Sequence, residues 1–141
     1  MNIVDKLKEG KKRTAFNCSV IAFRHMPEGW RWIQRKSLTG VCVYEDKKIY
    51  APSPITRRAL QVFLHECAHA TLHAERKNGK PQYVKEYEAE LWAFRVMREN
   101  GIRVSRKMIE SAKAFVGWRI SMAVRRGLKN VDKKIKRWIQ R

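Results

Sequence analysis

A chain of 141 residues and 16.7 kDa, 44% apolar and 32% charged, suits one domain with one core. Its 32 lysines and arginines stand against 13 acids, a formal charge of +19, so the surface carries a positive field that favours polyanions, nucleic acid first among them. No apolar run reaches the ~18–20 residues a membrane span needs, the first residues lack the apolar stretch of a secretory signal, and Cys18, Cys42 and Cys67 have neither CxxC spacing nor an even count. A reducing, cytoplasmic setting without a membrane partner is the expectation.

Ile3, Val4 and Leu7 form a short amphipathic start before Lys11, Lys12 and Arg13, which predicts a frayed helix over residues 1–14 and then a basic turn. From Phe16 the pattern changes to short β-rich runs at 18–23, 30–34, 40–45 and 47–51, separated by Pro27-Glu28-Gly29 and Thr39-Gly40. These predict a small, mostly antiparallel sheet whose last two strands form a hairpin turning at Glu45-Asp46-Lys47. After Pro52-Ser53-Pro54 the period becomes 3.6, with Ser53 as N-cap, and a helix is expected from about Ile55 to His73. Asn78-Gly79-Lys80-Pro81 breaks the chain. A second helix should run from about Gln82 to Asn100 and close at Gly101, a third from the cap Ser105 to Arg126 before Gly127, and a fourth over 131–139. The expected class is α+β: a single domain with a catalytic core at 1–100 and a basic helical extension at 101–141.

The middle of the first long helix reads His65-Glu66-Cys67-Ala68-His69, an HExxH. Histidines at i and i+4 lie one turn apart on one face, so both imidazoles can reach one Zn²⁺, while the adjacent Glu66 can serve as general base toward water. Val62, Phe63, Leu64, Ala68 and Leu72 make this helix largely apolar, so His65 and His69 are partly buried and need partners. His73 sits about 12 Å beyond His65 along a straight helix, too far for all three rings to meet at one ion. Glu86, Glu88 and Glu90 on the next helix are the better sources of a third ligand. An apolar arc drawn through Val84, Tyr87, Leu91, Trp92, Phe94 and Val96 encloses Glu88, while Glu86 and Glu90 fall on the polar side. Glu88 is therefore the expected third ligand, a salt bridge to Arg95 being its alternative. His73, Tyr83 and Tyr87 are candidates for stabilising an oxyanion, and Cys67 reads as a small core residue.

These segments resemble the ImmA/IrrE family of metallopeptidases. HECAHATLH (65–73) is similar to the family's HExxH with a further histidine four residues on, and EAELWA (88–93) is similar to its EANxFA, with Glu90 for Asn and Trp92 for Phe. The resemblance spans roughly residues 39–97. It implies a zincin-like fold, zinc on His65, His69 and Glu88, Glu66 as catalytic base, and peptide-bond hydrolysis in a protein substrate. Such proteins often belong to phages and mobile elements and act on DNA-bound repressors, which would place this one in a host cytoplasm. The Arg95-Val96-Met97-Arg98 segment departs from the family's apolar close.

Residues 101–141 hold 13 basic against 2 acidic side chains, a net of +11. Met108, Ile109, Ala112, Phe115, Val116, Ile120, Ala123 and Val124 keep helical spacing on one face. Arg119, Arg125, Arg126, Lys129, Lys133, Lys134, Lys136 and Arg137 fall outside it and are the expected phosphate-backbone contacts. The sequence thus favours a zinc metalloendopeptidase acting near nucleic acid. Its alternative is a non-enzymatic DNA- or RNA-binding regulator with a structural metal site.

Overall fold

The computed structural model describes residues 2–74 and 79–141; Asn78, part of the expected break, lies outside them. The architecture is α+β, and among the described residues it comprises α1 (Ile3–Arg24), β1 (Arg31–Arg35), β2 (Val41–Val43), β3 (Lys48–Pro52), α2 (Arg57–Leu72), α3 (Gln82–Glu99), α4 (Arg106–Arg125) and α5 (Lys133–Gln140).

The first element corrects the sequence reading. Residues 18–23 are not a strand but the end of one 22-residue helix that absorbs the amphipathic start. The Asn2 side chain caps it by accepting from the Asp5 N–H at 2.9 Å. No proline interrupts the segment, and only Cys18, Ile21 and Ala22 are buried, an i, i+3, i+4 stripe that fits a helix. Of the β-branched and aromatic residues that suggested a strand, Ile21 joins that stripe while Val20 and Phe23 lie at its rim, exposed.

The sheet is mixed, with order β1-β3-β2, rather than mostly antiparallel. β2 and β3 form the expected hairpin, Val41 opposite Tyr50 and Val43 opposite Lys48, turning through Lys47 at φ 50°. β1 runs parallel to β3 on its other side, Arg31 opposite Lys48 and Arg35 opposite Pro52. The chain passes beyond β3's position to lay down β2 and then returns to fill the middle, leaving β2 at an edge. Ile49 and Ala51 of β3 are fully buried. Phe23 of α1, Trp32 of β1 and Phe63 of α2 meet edge-on and tilted, with centroids 5.2–6.0 Å apart, and tie three elements together.

The helical part follows the predicted order closely. Thr56, rather than Ser53, caps α2 by accepting from the Ala59 N–H. Gly101 (φ 73°) and Gly127 (φ 105°) end α3 and α4 in the left-handed region; the following N–H groups reach back to Met97 O and Ala123 O. Ser105 and Asp132 cap α4 and α5. The last forty residues do not hang from the domain as an appendage. Met108, Ala112, Val116, Ile135 and Trp138 belong to the same buried cluster as Cys18, Phe63 and Phe94, Trp138 packs edge-on to Tyr87 at 5.2 Å, and the Tyr83 hydroxyl accepts from the Asp132 N–H at 2.9 Å. Ile135→Ala should therefore destabilise the whole chain by about 2–4 kcal/mol. Tryptophan fluorescence and far-ultraviolet circular dichroism should follow one common denaturant transition; a separate early transition for the C-terminal helices would contradict shared packing.

Candidate metal centre

α2 is buried almost all round between Ala59 and Ala70, so its polar residues must satisfy one another. His65 and His69, one turn apart, bring their Nε2 atoms to 3.1 Å. From α3, Glu86 closes the triangle: Oε1 lies 2.6 Å from His69 Nε2 and Oε2 lies 3.4 Å from His65 Nε2. The exposures of His65, His69 and Glu86 are 8%, 5% and 4%, so bulk water does not screen them.

The outer partners decide where the lone pairs point. Glu88 carries a carboxylate held by Lys80 Nζ at 2.8 Å and lies 3.1 Å from His73 Nε2, which must donate to it. His73 Nδ1 then accepts from His69 Nδ1–H at 2.9 Å, leaving the His69 Nε2 lone pair facing the triangle. On the other ring, His65 Nδ1 lies 2.8 Å from Glu90 Oε1, in ion-pair contact although its N–H is out of line for a hydrogen bond. Glu90 in turn accepts from Gln61 Nε2, and Gln61 Oε1 from Arg58. Two imidazole lone pairs and a carboxylate thus converge in a buried space, an arrangement that repels itself unless a cation lies between them. Donors around a tetrahedral ion with bonds of about 2.0–2.1 Å stand about 3.3 Å apart, which the 3.1 and 3.4 Å spacings match, while the 2.6 Å between Glu86 and His69 is of hydrogen-bond length and would open on binding. The residues fit a metal ion.

The ionisation of the cluster expresses the same demand. Burial works against a charge on His65, yet Glu86 and Glu90 outweigh it and hold the pKa well above the usual imidazole value. Burial also works against the Glu86 charge, but when no ion is bound, protons on the His65 and His69 imidazoles beside it take the place of the cation and keep it far below the usual carboxylate range. In Glu66, 6% exposed, burial wins: its pKa is raised, against the opposing pull of His65 and His69. Ligand atoms of His65, Glu66 and His69 all lie within 4.8 Å of one another, so this buried group could hold a metal ion. Glu66 is confined from above by Gly40, where a Cβ would fall 2.6 Å from Glu66 Cγ. Only glycine permits the chain to pass that close.

These groups open onto a cleft of about 500 Å³. It is lined by Leu38 to Cys42 and Tyr44, which include part of edge strand β2, and by Phe115 and Arg119 of α4. Burial raises the pKa of Tyr44 and pushes Cys42 up to about 12, so both face the cleft neutral.

Placement differs from the sequence reading at several points. His65, Glu66 and His69 come together as expected. Glu88 does not join them, being occupied by His73 and Lys80 with its side chain 30% exposed. The carboxylate at the histidine pair is Glu86. The apolar arc misled because Val84, Leu91 and Trp92 are only half-buried; the true inner stripe is Tyr83, Glu86, Tyr87, Glu90, Ala93, Phe94 and Met97, which keeps i, i+3, i+4, i+7 spacing through both acids. Arg95 points outward to Glu99. Of the oxyanion candidates, Tyr83 holds the start of α5, Tyr87 packs on Trp138 and His73 supports His69. The sequence reading missed Tyr44 as a cleft residue and placed Arg119 on the basic outer face. Arg125, Arg126, Lys129, Lys133, Lys134, Lys136 and Arg137 are all exposed, as expected of that face.

The chain matches no protein family, no curated protein and no solved structure. The metal centre therefore stands on its geometry. Glu86→Gln should lower divalent-metal affinity by more than the roughly 10–100-fold typical of outer partners. Glu88→Gln, two hydrogen bonds removed from the triangle, should lower it by less. Calorimetric titration of the two variants checks the order, and the reverse order would return the ligand role to Glu88.

Proposed function

We propose that this chain is a zinc-dependent endopeptidase of the ImmA/IrrE type with a zincin-like domain, acting on a protein substrate. Two histidines and a carboxylate are the donor set that zinc favours at hydrolytic sites with an open coordination position. His65, His69 and Glu86 would hold the ion, Glu86 taking the place that the resemblance implies for Glu88. Zinc supplies Lewis acidity there, polarising a carbonyl and lowering the pKa of water toward about 7.

The observation that carries a hydrolytic rather than a structural role is Glu66. A purely structural site needs no further buried carboxylate, yet this one lies within reach of both histidines, opens onto the cleft and is fixed in place by Gly40. It takes a proton from the attacking water as the new C–O bond forms, then delivers it to the departing amine as the C–N bond breaks. Glu90 and the His73–Glu88 pair keep the two imidazoles turned toward the triangle. Tyr44, kept neutral by burial, is an O–H donor in the cleft for charge developing on the carbonyl oxygen.

A peptide substrate suits the wall beside Glu66. Among the described residues β2 pairs only with β3, so its other edge is free to accept an extended chain through main-chain hydrogen bonds. Zinc-loaded protein should cleave a mixture of internally quenched peptides. Glu66→Gln should retain stoichiometric zinc by atomic absorption while losing 10²–10⁴ or so in rate, the usual weight of a general base. Cleavage by this variant at the wild-type rate would defeat the assignment.

The exposed arginines and lysines of α4, α5 and the segment between them favour a second property, contact with a nucleic-acid backbone. If the metal site were only structural, this surface would make the chain a non-enzymatic nucleic-acid-binding regulator, the reading that the Glu66→Gln comparison separates. Affinity for random-sequence duplex should fall with salt, the log–log slope giving about 0.9 per phosphate neutralised. Lys133→Gln with Arg137→Gln should flatten it. A salt-independent affinity would rule out backbone neutralisation.

A further inference from the structure

The cleft contains a cation that its own surroundings do not satisfy. Arg119, on the wall formed by α4, rests its guanidinium on Phe115 and Trp118, 5.6 and 5.2 Å from the ring centroids. The two rings are stacked, and Phe115 in turn lies 6.3 Å from the His65 ring. Arg119 Nε is closed to solvent and makes no hydrogen bond. Among the described residues no ion pair or hydrogen bond joins the guanidinium to Glu66, Glu86 or Glu90, which lie in the same cleft, Glu86 and Glu90 being paired with the histidines. Arg58, the other arginine at the cleft, is by contrast bonded to Gln61.

A guanidinium packed against two aromatic rings is restricted before any ligand arrives, and its N–H groups, which bond to no other side chain among the described residues, are left for a planar acceptor. An under-bonded, partly buried cation of this kind gains from an anion far more than an exposed one does. We propose that Arg119 is a specificity-determining residue that binds a substrate carboxylate, from an acidic side chain near the scissile bond or from the substrate's C-terminus. A phosphate dianion suits the site poorly, since Arg119 can neutralise only one of its charges, Glu66, Glu86 and Glu90 line the same cleft, and the other lining arginine is already bonded to Gln61. The inference rests on the peptidase reading for its cleft and names the substrate class that this cleft selects.

The test titrates zinc-loaded full-length Glu66→Gln protein, which binds without turnover, with three blocked tetrapeptides. One carries a glutamate side chain and an amidated terminus, one a glutamine and an amidated terminus, and one a glutamine and a free terminal carboxylate. Calorimetry gives affinity, and the fluorescence of Trp118, against which Arg119 lies, reports occupancy. At least one acid-bearing peptide should bind roughly tenfold or more tighter than the neutral one, the usual weight of a charged hydrogen bond, and the tighter of the two identifies the carboxylate's source. Adding Arg119→Met, which keeps the stacked bulk over Phe115, should erase the preference, while Arg119→Lys should retain part of it; zinc content should stay unchanged in both. Equal or undetectable binding of all three peptides, or a preference that survives Arg119→Met, overturns the inference. So does a variant that loses catalytic rate in the wild-type background with the peptide affinities untouched, which would make Arg119 an oxyanion donor. Failure of wild-type protein to cleave anything, with the carboxylate preference intact, strikes the peptidase reading alone.

Discussion

Two imidazole nitrogens with their lone pairs facing each other at 3.1 Å, and a carboxylate oxygen 2.6 Å from one of them, are tolerable inside a protein only if positive charge sits among them. The surrounding structure reflects that constraint. α2 is buried so that its histidines cannot turn to water, α3 packs against it and delivers Glu86, and each ring is backed on its far side: Glu90 with Gln61 behind His65, His73 with Glu88 behind His69. The two supports run outward through different elements to cations, Arg58 on one branch and Lys80 on the other. Such relays would orient metal ligands and raise their basicity, a use that fits the clustering of Glu86, Glu90 and three histidines in a small core, with Glu88 at its margin.

The placement of charge separates two surfaces of a very basic protein. The net charge is +19, yet Glu66, Glu86 and Glu90 all line one cleft. Lysines and arginines crowd the outer surface of α4 and α5, where solvent screens them from one another and long-range attraction to a polyanion is greatest. Arg119 is the exception, withdrawn into the cleft by its contact with Phe115 and Trp118. The same C-terminal helices therefore supply an outer surface and one wall of the inner site. Because Ile135 and Trp138 anchor them to the core, deleting these helices would remove more than charge.

The edge position of β2 arises from the order in which the sheet is filled. With β3 in the centre, the short hairpin leaves β2 beside α2, and Gly40 lets the approaching chain touch Glu66. Sheet edge, the buried Glu66 and the His65–His69–Glu86 triangle thereby share one cleft. The mixed sheet is not incidental to this, since β1, held parallel on the far side of β3, is packed through Trp32 onto Phe23 and Phe63 and so keeps the opposite edge away from the site.

Local chemistry alone made much of this legible. Helix geometry requires that His65 and His69 share a face; Ser105, Gly101 and Gly127 mark helix ends through capping and left-handed backbone, and the Glu45–Lys47 turn marks a hairpin. Each depends on residues within a few positions of one another. Three matters depended on partners distant in sequence. Whether 18–23 was strand or helix turned on which of its residues found a core, and packing chose the stripe Cys18, Ile21 and Ala22. Whether β1 ran parallel or antiparallel to β3 turned on the route of the intervening hairpin. The choice of Glu86 over Glu88 turned on the rotation of α3 about its axis, which Tyr83, Phe94 and Met97 set by packing, and which no count of apolar residues along that helix could supply because half-buried Leu91 and Trp92 weigh as much in sequence as buried ones.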